Sequence, residues 1–164
     1  WGRQAPRVAG DTAGGGCLSR AEALGGEAIA DERGALKEGE HNAERQDESQ
    51  AGYAHKRSKQ DGQINWQAPA REIHNLVRAF NPWPGTYTDL DDQRIRIHQS
   101  EVLQEDGAEA PGTILRRSRD GVDVSCGEQT LRILRLQLPG SRAQSVNDLI
   151  NGGREILLSG QELH

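Results

Sequence analysis

Aromatic residues are the largest contributors to a core, and here they crowd into one stretch. Five of the six (Tyr53, Trp66, Phe80, Trp83, Tyr87) fall between positions 53 and 87, and none occurs from Gly2 to Gly52. A packed core is therefore expected only in the second half. Regular patterning begins there too. Ile73, Leu76, Val77 and Phe80 stand at i, i+3, i+4 and i+7, which predicts a helix over 69–80 with Pro69 in its first turn. Asn81-Pro82-Trp83-Pro84-Gly85 must end it, because two prolines cannot continue a helix. Strand signals follow at 87–90, 94–102, 113–117, 122–126 and 130–138. In the second of these, Ile95 and Ile97 alternate with Arg94, Arg96 and His98. Turn signals stand at Asp91-Asp92, Asp120-Gly121 and Gly127-Glu128. Ser145 and Asp148 have capping-box spacing and open a short closing helix to Asn151. The expected body is mainly β: a five-stranded meander closed as an OB-like barrel, with one helix before it and a short one after.

The first half is less regular. Asp11-Thr12-Ala13-Gly14 reads as a helix entry, and Leu18, Ala21, Leu24, Ala28 and Leu36 share a loose face. Gly14, Gly15, Gly16, Gly25, Gly26 and Gly34 weaken that helix by about 1 kcal/mol each where interior. A helix over 17–38 is expected to need a partner surface. Residues 39–62 are polar and aperiodic, as a linker or exposed loop would be.

Composition narrows the class. With 164 residues, the chain can hold one domain or a domain plus an appendage. Its 34% hydrophobic content is low for a single continuous core. No apolar run approaches the roughly 20 residues of a membrane span, and no apolar leader is seen at the start. Cys17 and Cys126 are far apart and neither has a neighbour at metal-ligand spacing, which suits a reducing compartment. The five histidines show no metal spacing either, so no metal site is expected. Gly14-Gly15-Gly16 follows no strand and is not read as a phosphate loop. No nucleophile elbow of the form Gly-x-Ser-x-Gly is present. The chain contains no Met and opens at Trp1, so it is expected to be a piece of a longer one.

Several segments together resemble a known family. RAFNPWPGTYT (78–88), APGTIL (110–115), LRILRLQLPGSR (131–142) and SVNDLINGGR (145–154) are similar to the C-terminal domain of methionyl-tRNA formyltransferases. QDESQAGYAHKRSKQDG (46–62) resembles that family's interdomain linker, and the helix after DTAG (11–14) resembles the last helix of its catalytic domain. The resemblance implies three parts: residues 1–42 as a helical remnant of an α/β catalytic domain, 43–62 as linker, and 63–164 as an OB-like tRNA-binding domain. It implies a role in translation initiation, positioning initiator methionyl-tRNA for formylation by 10-formyltetrahydrofolate. The folate and the catalytic Asn, His and Asp belong to the family's upstream domain. This chain is therefore expected to hold no cofactor, to have no catalytic residue and to be inactive alone. It is also expected to be a cytoplasmic monomer with no membrane partner. A tail of a related sugar-nucleotide or folate-utilising formyltransferase, and a degenerate fragment with no ligand, remain open.

Lys56, Arg57 and Lys59, beside Tyr53, are the leading candidates for phosphate contacts. Lys56 and Lys59 match the family's Lys-x-Ser-Lys, whereas His55 stands where the family usually has Pro. Arg116, Arg117 and Arg142 are the second set. The competing reading makes the linker cations an ordinary solvated segment and the arginines solvent-facing strand positions, balanced by acids in a chain of net charge −5. Phe80 and Trp83 could stack on bases. The expectation is instead that both are core, with Trp83 plugging a barrel end.

Overall fold

A computed structural model of the chain describes residues 14–38 and 60–164. Two compact units divide the chain, Trp1–Arg57 and Ser58–His164. The first contains helix α1, Gly14–Glu38, which starts three residues before the expected helix and takes in the glycine triplet. Leu18 and Ile29 are exposed on it. Asp11 and Thr12, the expected entry, lie outside the described residues, as does the linker up to Lys59.

The second unit opens with a 3-10 turn, Gln60–Gly62. Helix α2, Ala70–Phe80, follows and buries Ala70, Ile73, Val77 and Phe80. Ile73, Val77 and Phe80 are positions the periodicity picked out, whereas Leu76, the fourth, is only half-buried and Ala70 is an addition. The Ala70 N–H donates to the Glu128 carbonyl at 2.9 Å, which ties the helix start to a hairpin turn. The helix packs on the strands Gln93–Leu103 (β2) and Thr130–Gln137 (β5) of the sheet.

The strands are β1 Thr86–Leu90, β2 Gln93–Leu103, β3 Ile114–Ser118, β4 Gly121–Ser125 and β5 Thr130–Gln137, each close to its expected position. A sixth, β6, is the two-residue Gln144–Ser145, which had no sequence signal. All pairings are antiparallel, and the order is β1-β2-β5-β4-β3, with β6 on β5. The expected meander therefore breaks once. β2 pairs with β5 rather than β3, which makes a Greek key of the last four long strands. Ser145 caps helix α3, Val146–Asn151, and the capping box with Asp148 is complete.

β1 and β3, at the two ends of this order, are not paired with each other. The last residues of the chain bond to both. The backbones of His164 and Asp89 exchange hydrogen bonds of 2.9 and 2.8 Å. On the other side, the Leu163 N–H reaches the Gly112 carbonyl and the Ile114 N–H reaches the Gln161 carbonyl, both at 2.9 Å. Gly112 is required here. Its φ is +95°, and a Cβ would come within 2.6 Å of the Leu163 carbonyl oxygen. The β-rich, OB-like body is thus present, but its strands alone do not form a ring.

Inside lie Ile95, Ile114, Val122, Val124, Leu131, Ile133 and Leu136, each at most 1% exposed. Burying each such side chain is worth about 1.5–3 kcal/mol. The indole in this core is Trp66, at 4% exposure, whose Nε1–H donates to Thr88 Oγ1 at 3.0 Å. Thr88 Oγ1 in turn donates to the His164 carbonyl. Phe80 is core, as expected, but Trp83 is 63% exposed and plugs nothing. The buried indole is Trp66, and the turn after α2 leaves Trp83 in solvent.

Leu163→Ala should lower the stability of the second unit by about 2–4 kcal/mol in urea unfolding, because Leu163 is buried between the two sheet edges. Leu18→Ala should change the same transition by less than about 0.5 kcal/mol. Burial pushes the Cys126 thiol up to about 12, against a smaller downward effect of the Leu131 backbone hydrogen bond. Its folded pKa is raised, so its contribution is complete below the thiol's ordinary value of 9.0 and is lost as pH rises toward about 12. Urea midpoints of the wild type should therefore fall more steeply above pH 9 than those of Cys126→Ala.

Candidate nucleic-acid interface

The expected phosphate contacts fall in three places. Lys56, Arg57 and Lys59 lie outside the described residues. Arg116 and Arg117 are neighbours on β3, and neighbouring strand residues face opposite ways. Arg116 pairs with Asp123 of β4 at 3.1 Å. Arg117 instead donates to the Arg154 backbone carbonyl beyond α3. The adjacency in sequence therefore does not make a paired basic patch.

Asp123 anchors a row of charges across four strands. It is 4% exposed and accepts from Arg132 of β5 through Nε at 2.6 Å and Nη2 at 3.0 Å, as well as from Arg116. Arg132 also meets Glu101 of β2 at 3.4 Å. These contacts raise the Arg132 pKa further above its ordinary value, chiefly through the hydrogen bond to Asp123, so the guanidinium stays charged. Two arginines and two carboxylates cancel here. The row stabilises the sheet and has little net charge left for a polyanion.

Arg142 is different. It is exposed, in the loop between β5 and β6, and makes no ion pair among the described residues. With Arg135, Ala143, Gln144, Asp148 and Asn151 it lines a shallow concavity of about 410 Å³. Asp148 is committed to capping α3. Arg135 donates to the Ala143 carbonyl at 3.2 Å.

A chain of hydrogen bonds runs from this loop to the turn after α2. Gln137 Nε2 donates to the Ser141 carbonyl at 2.8 Å, and its Oε1 lies 3.2 Å from His98 Nε2. The His98 carbonyl accepts from Asn81 Nδ2 at 3.2 Å. Asn81 begins the turn that carries Trp83. Between these ends, Arg96 stands opposite both Tyr87 and Gln137 in the strand registers. Ile95 and Ile97 are buried and Arg94 and Arg96 exposed, so the expected alternation of β2 holds. Arg94 is engaged with Asp89 at 3.1 Å and sits 4.0 Å above the Tyr87 ring. The Asp89 hydrogen bond raises its pKa. Arg96 has no ion pair among the described residues. Trp83 and Arg142 thus lie on the loops at the two ends of this hydrogen-bond chain, and Tyr87 and Arg96 stand opposite each other on β1 and β2. Sequence reading noted Arg96 as a strand arginine but took Trp83 for core.

Among the described residues, no group of three or more His, Cys, Asp or Glu could hold a metal. No helix among them is long and apolar enough to cross a membrane.

The sequence from residue 56 to residue 154 matches the family described as formyl transferase, C-terminal domain. The chain belongs to that family. It is 54% identical over 157 residues to the methionyl-tRNA formyltransferase of Marinobacter nauticus, covering 96% of this chain and 50% of that relative. The Hahella chejuensis protein of the same name is 44% identical, over 85% of this chain and 44% of its own length. That of Pseudomonas putida is 39% identical, over 95% and 50%. The chain therefore spans about half the length of the curated relatives it matches. Among solved structures, HypX from Aquifex aeolicus in complex with tetrahydrofolic acid aligns at a TM-score of 0.60, covering 81% of this chain and 24% of that one. At 12% identity, this likeness is one of fold. The resemblance read from NPWPG and the strand motifs is borne out by these relatives.

In this formyl transferase C-terminal domain, the Asp123 row should prove structural. Asp123→Asn should cost about 2–3 kcal/mol in urea unfolding, because Arg132 loses its buried carboxylate partner. Arg116→Ala should cost less than about 1 kcal/mol, since that side chain is 64% exposed.

Proposed function

We propose that this chain is the tRNA-binding C-terminal part of a methionyl-tRNA formyltransferase. It positions initiator methionyl-tRNA for N-formylation from 10-formyltetrahydrofolate in translation initiation. The observation that carries this reading is the 54% identity to such an enzyme running through 157 residues, including the linker and the helix before it. On this reading, residues 1–42 are a remnant of the catalytic domain, 43–62 the linker and 63–164 the tRNA-binding domain. The protein acts in the cytoplasm as a monomer.

The mechanism is positional. Lys56, Arg57 and Lys59 contact backbone phosphates, and Arg142 supplies a second contact on the barrel. Arg116 and Arg117 contribute less, because one is neutralised by Asp123 and the other is spent on a backbone carbonyl. Two weak surfaces joined by a short tether raise each other's effective concentration, so their combined grip exceeds either alone.

The described residues do not fit a folate. Two concavities of the second unit are shallow and mix charged with other residues in their walls: Asp91, Arg154 and Glu155 beside Leu90, Leu138 and Ile156 in one, Arg135, Arg142 and Asp148 in the other. Neither offers an apolar slot for a flat ring system. On this reading the formyl donor is held by the family's catalytic domain, and the tRNA-binding part acts by position.

A labelled initiator tRNA should bind the full chain at low salt and weaken steeply as salt rises. Replacing Lys56, Arg57 and Lys59 together with Ala should weaken binding about ten-fold or more at low salt. It should also make the log–log salt slope shallower by about 2–3. Salt-insensitive binding, or none, would contradict the reading.

A further inference from the structure

Trp83 is the largest side chain that the second unit leaves in solvent, at 63% exposure. Its support is firm. Phe80, three residues earlier, is buried in the core. The Gly85 N–H closes the turn on the Phe80 carbonyl at 2.9 Å, and Asn81 is held by the His98 carbonyl. Gly62 lies so close to the Gly85 carbonyl that any side chain at 62 would collide with it. Prolines on both sides of the indole fix their own φ angles. An aromatic plane presented on so restrained a turn loses little entropy when a ligand covers it.

Its surroundings select the ligand. Thr86, three residues on, stands opposite Ile97, and Tyr87 stands opposite Arg96. Arg96 is exposed and makes no ion pair among the described residues. The carboxylate nearest along β1, Asp89, is held by Arg94. A flat apolar surface on the turn that leads into β1, with a guanidinium that makes no ion pair among the described residues opposite the second residue of that strand, suits a nucleotide, which has a π-face and a phosphate. A protein partner would more often be met by a wider apolar patch, and the only other exposed large apolar side chain described in this unit is Leu158, near the end of the chain.

We propose that Trp83 and Arg96 form a nucleotide site on the sheet edge, in which the indole stacks on an unpaired base and the guanidinium holds the adjoining phosphate. The inference rests on the reading of RNA as the partner, and it adds a base contact to the phosphate contacts already assigned. The site is sequence-tolerant, because every base has a π-face, and it demands that the base be out of its helix.

The test uses the full chain with Trp1→Phe, which leaves two indoles, the exposed Trp83 and the buried Trp66. Titrating an unmodified initiator tRNA transcript should quench the Trp83 emission, whereas inorganic polyphosphate, which has charge but no bases, should not. Trp83→Ala should weaken tRNA binding about ten-fold with an unchanged salt slope, and Trp83→Phe should retain affinity within about three-fold. Arg96→Ala should make the slope shallower by about 1. Unchanged urea midpoints and Trp66 emission would establish that each variant folds. If tRNA binds and responds to the linker triple variant but not to Trp83→Ala or Arg96→Ala, the site is overturned while the RNA reading stands. If no tRNA binds, both fall. If Trp83 emission shifts to the blue with protein concentration and sedimentation gives twice the chain mass, the indole covers a second copy, and the nucleotide site is overturned.

Discussion

The two backbone hydrogen bonds between His164 and Asp89 join the last residue of the chain to one edge of the sheet, and those of Gln161 and Leu163 join it to the other. Without them, β1 and β3 would each present a row of unpaired backbone groups, which costs free energy wherever water is excluded. The consequences reach inward. Leu163 is buried among the core residues, and Trp66 is locked through Thr88 to the His164 carbonyl. A segment of five residues thus does for this body what a further strand does in a closed barrel.

That closure also organises the surface. Once β1 is fixed, Thr86 and Tyr87 are set against Ile97 and Arg96, and the turn carrying Trp83 is aimed outward. The charges on the body then separate by role. Asp123 and Glu101 together balance Arg116 and Arg132, and Asp89 holds Arg94, while Arg96 and Arg142 are among the arginines that make no ion pair among the described residues. A domain with more acid than base can grip a polyanion only through such local exceptions. Trp83 and Arg142 lie on the loops at the two ends of the Asn81–His98–Gln137–Ser141 hydrogen-bond chain.

Local patterns carried most of the elements. The 3.6-residue spacing of Ile73, Val77 and Phe80 marked α2, the alternation about Ile95 and Ile97 marked β2, and Ser145 with Asp148 marked α3. Long-range pairings were not legible. β2 meets β5, whose sequence lies beyond the irregular stretch 104–113 and two further strands. The closing segment is too short and polar to look like a strand. Two tryptophans compete for one interior, and Trp66 takes it because Thr88, 22 residues away, satisfies its N–H. Arg116 and Arg117 looked like a pair because adjacency is visible in a sequence, whereas the register that sets Arg116 against Asp123 is not.

On the proposed reading, RNA is gripped by the basic linker together with the loops that carry Trp83 and Arg142. Ultraviolet crosslinking of initiator tRNA to the full chain, with the crosslinked peptides mapped by mass spectrometry, tests it most directly. The account predicts adducts in the linker around 56–59, at Trp83 or Tyr87, and in the 135–144 stretch. Adducts confined to the Asp123 row, or spread evenly over the surface, would contradict it.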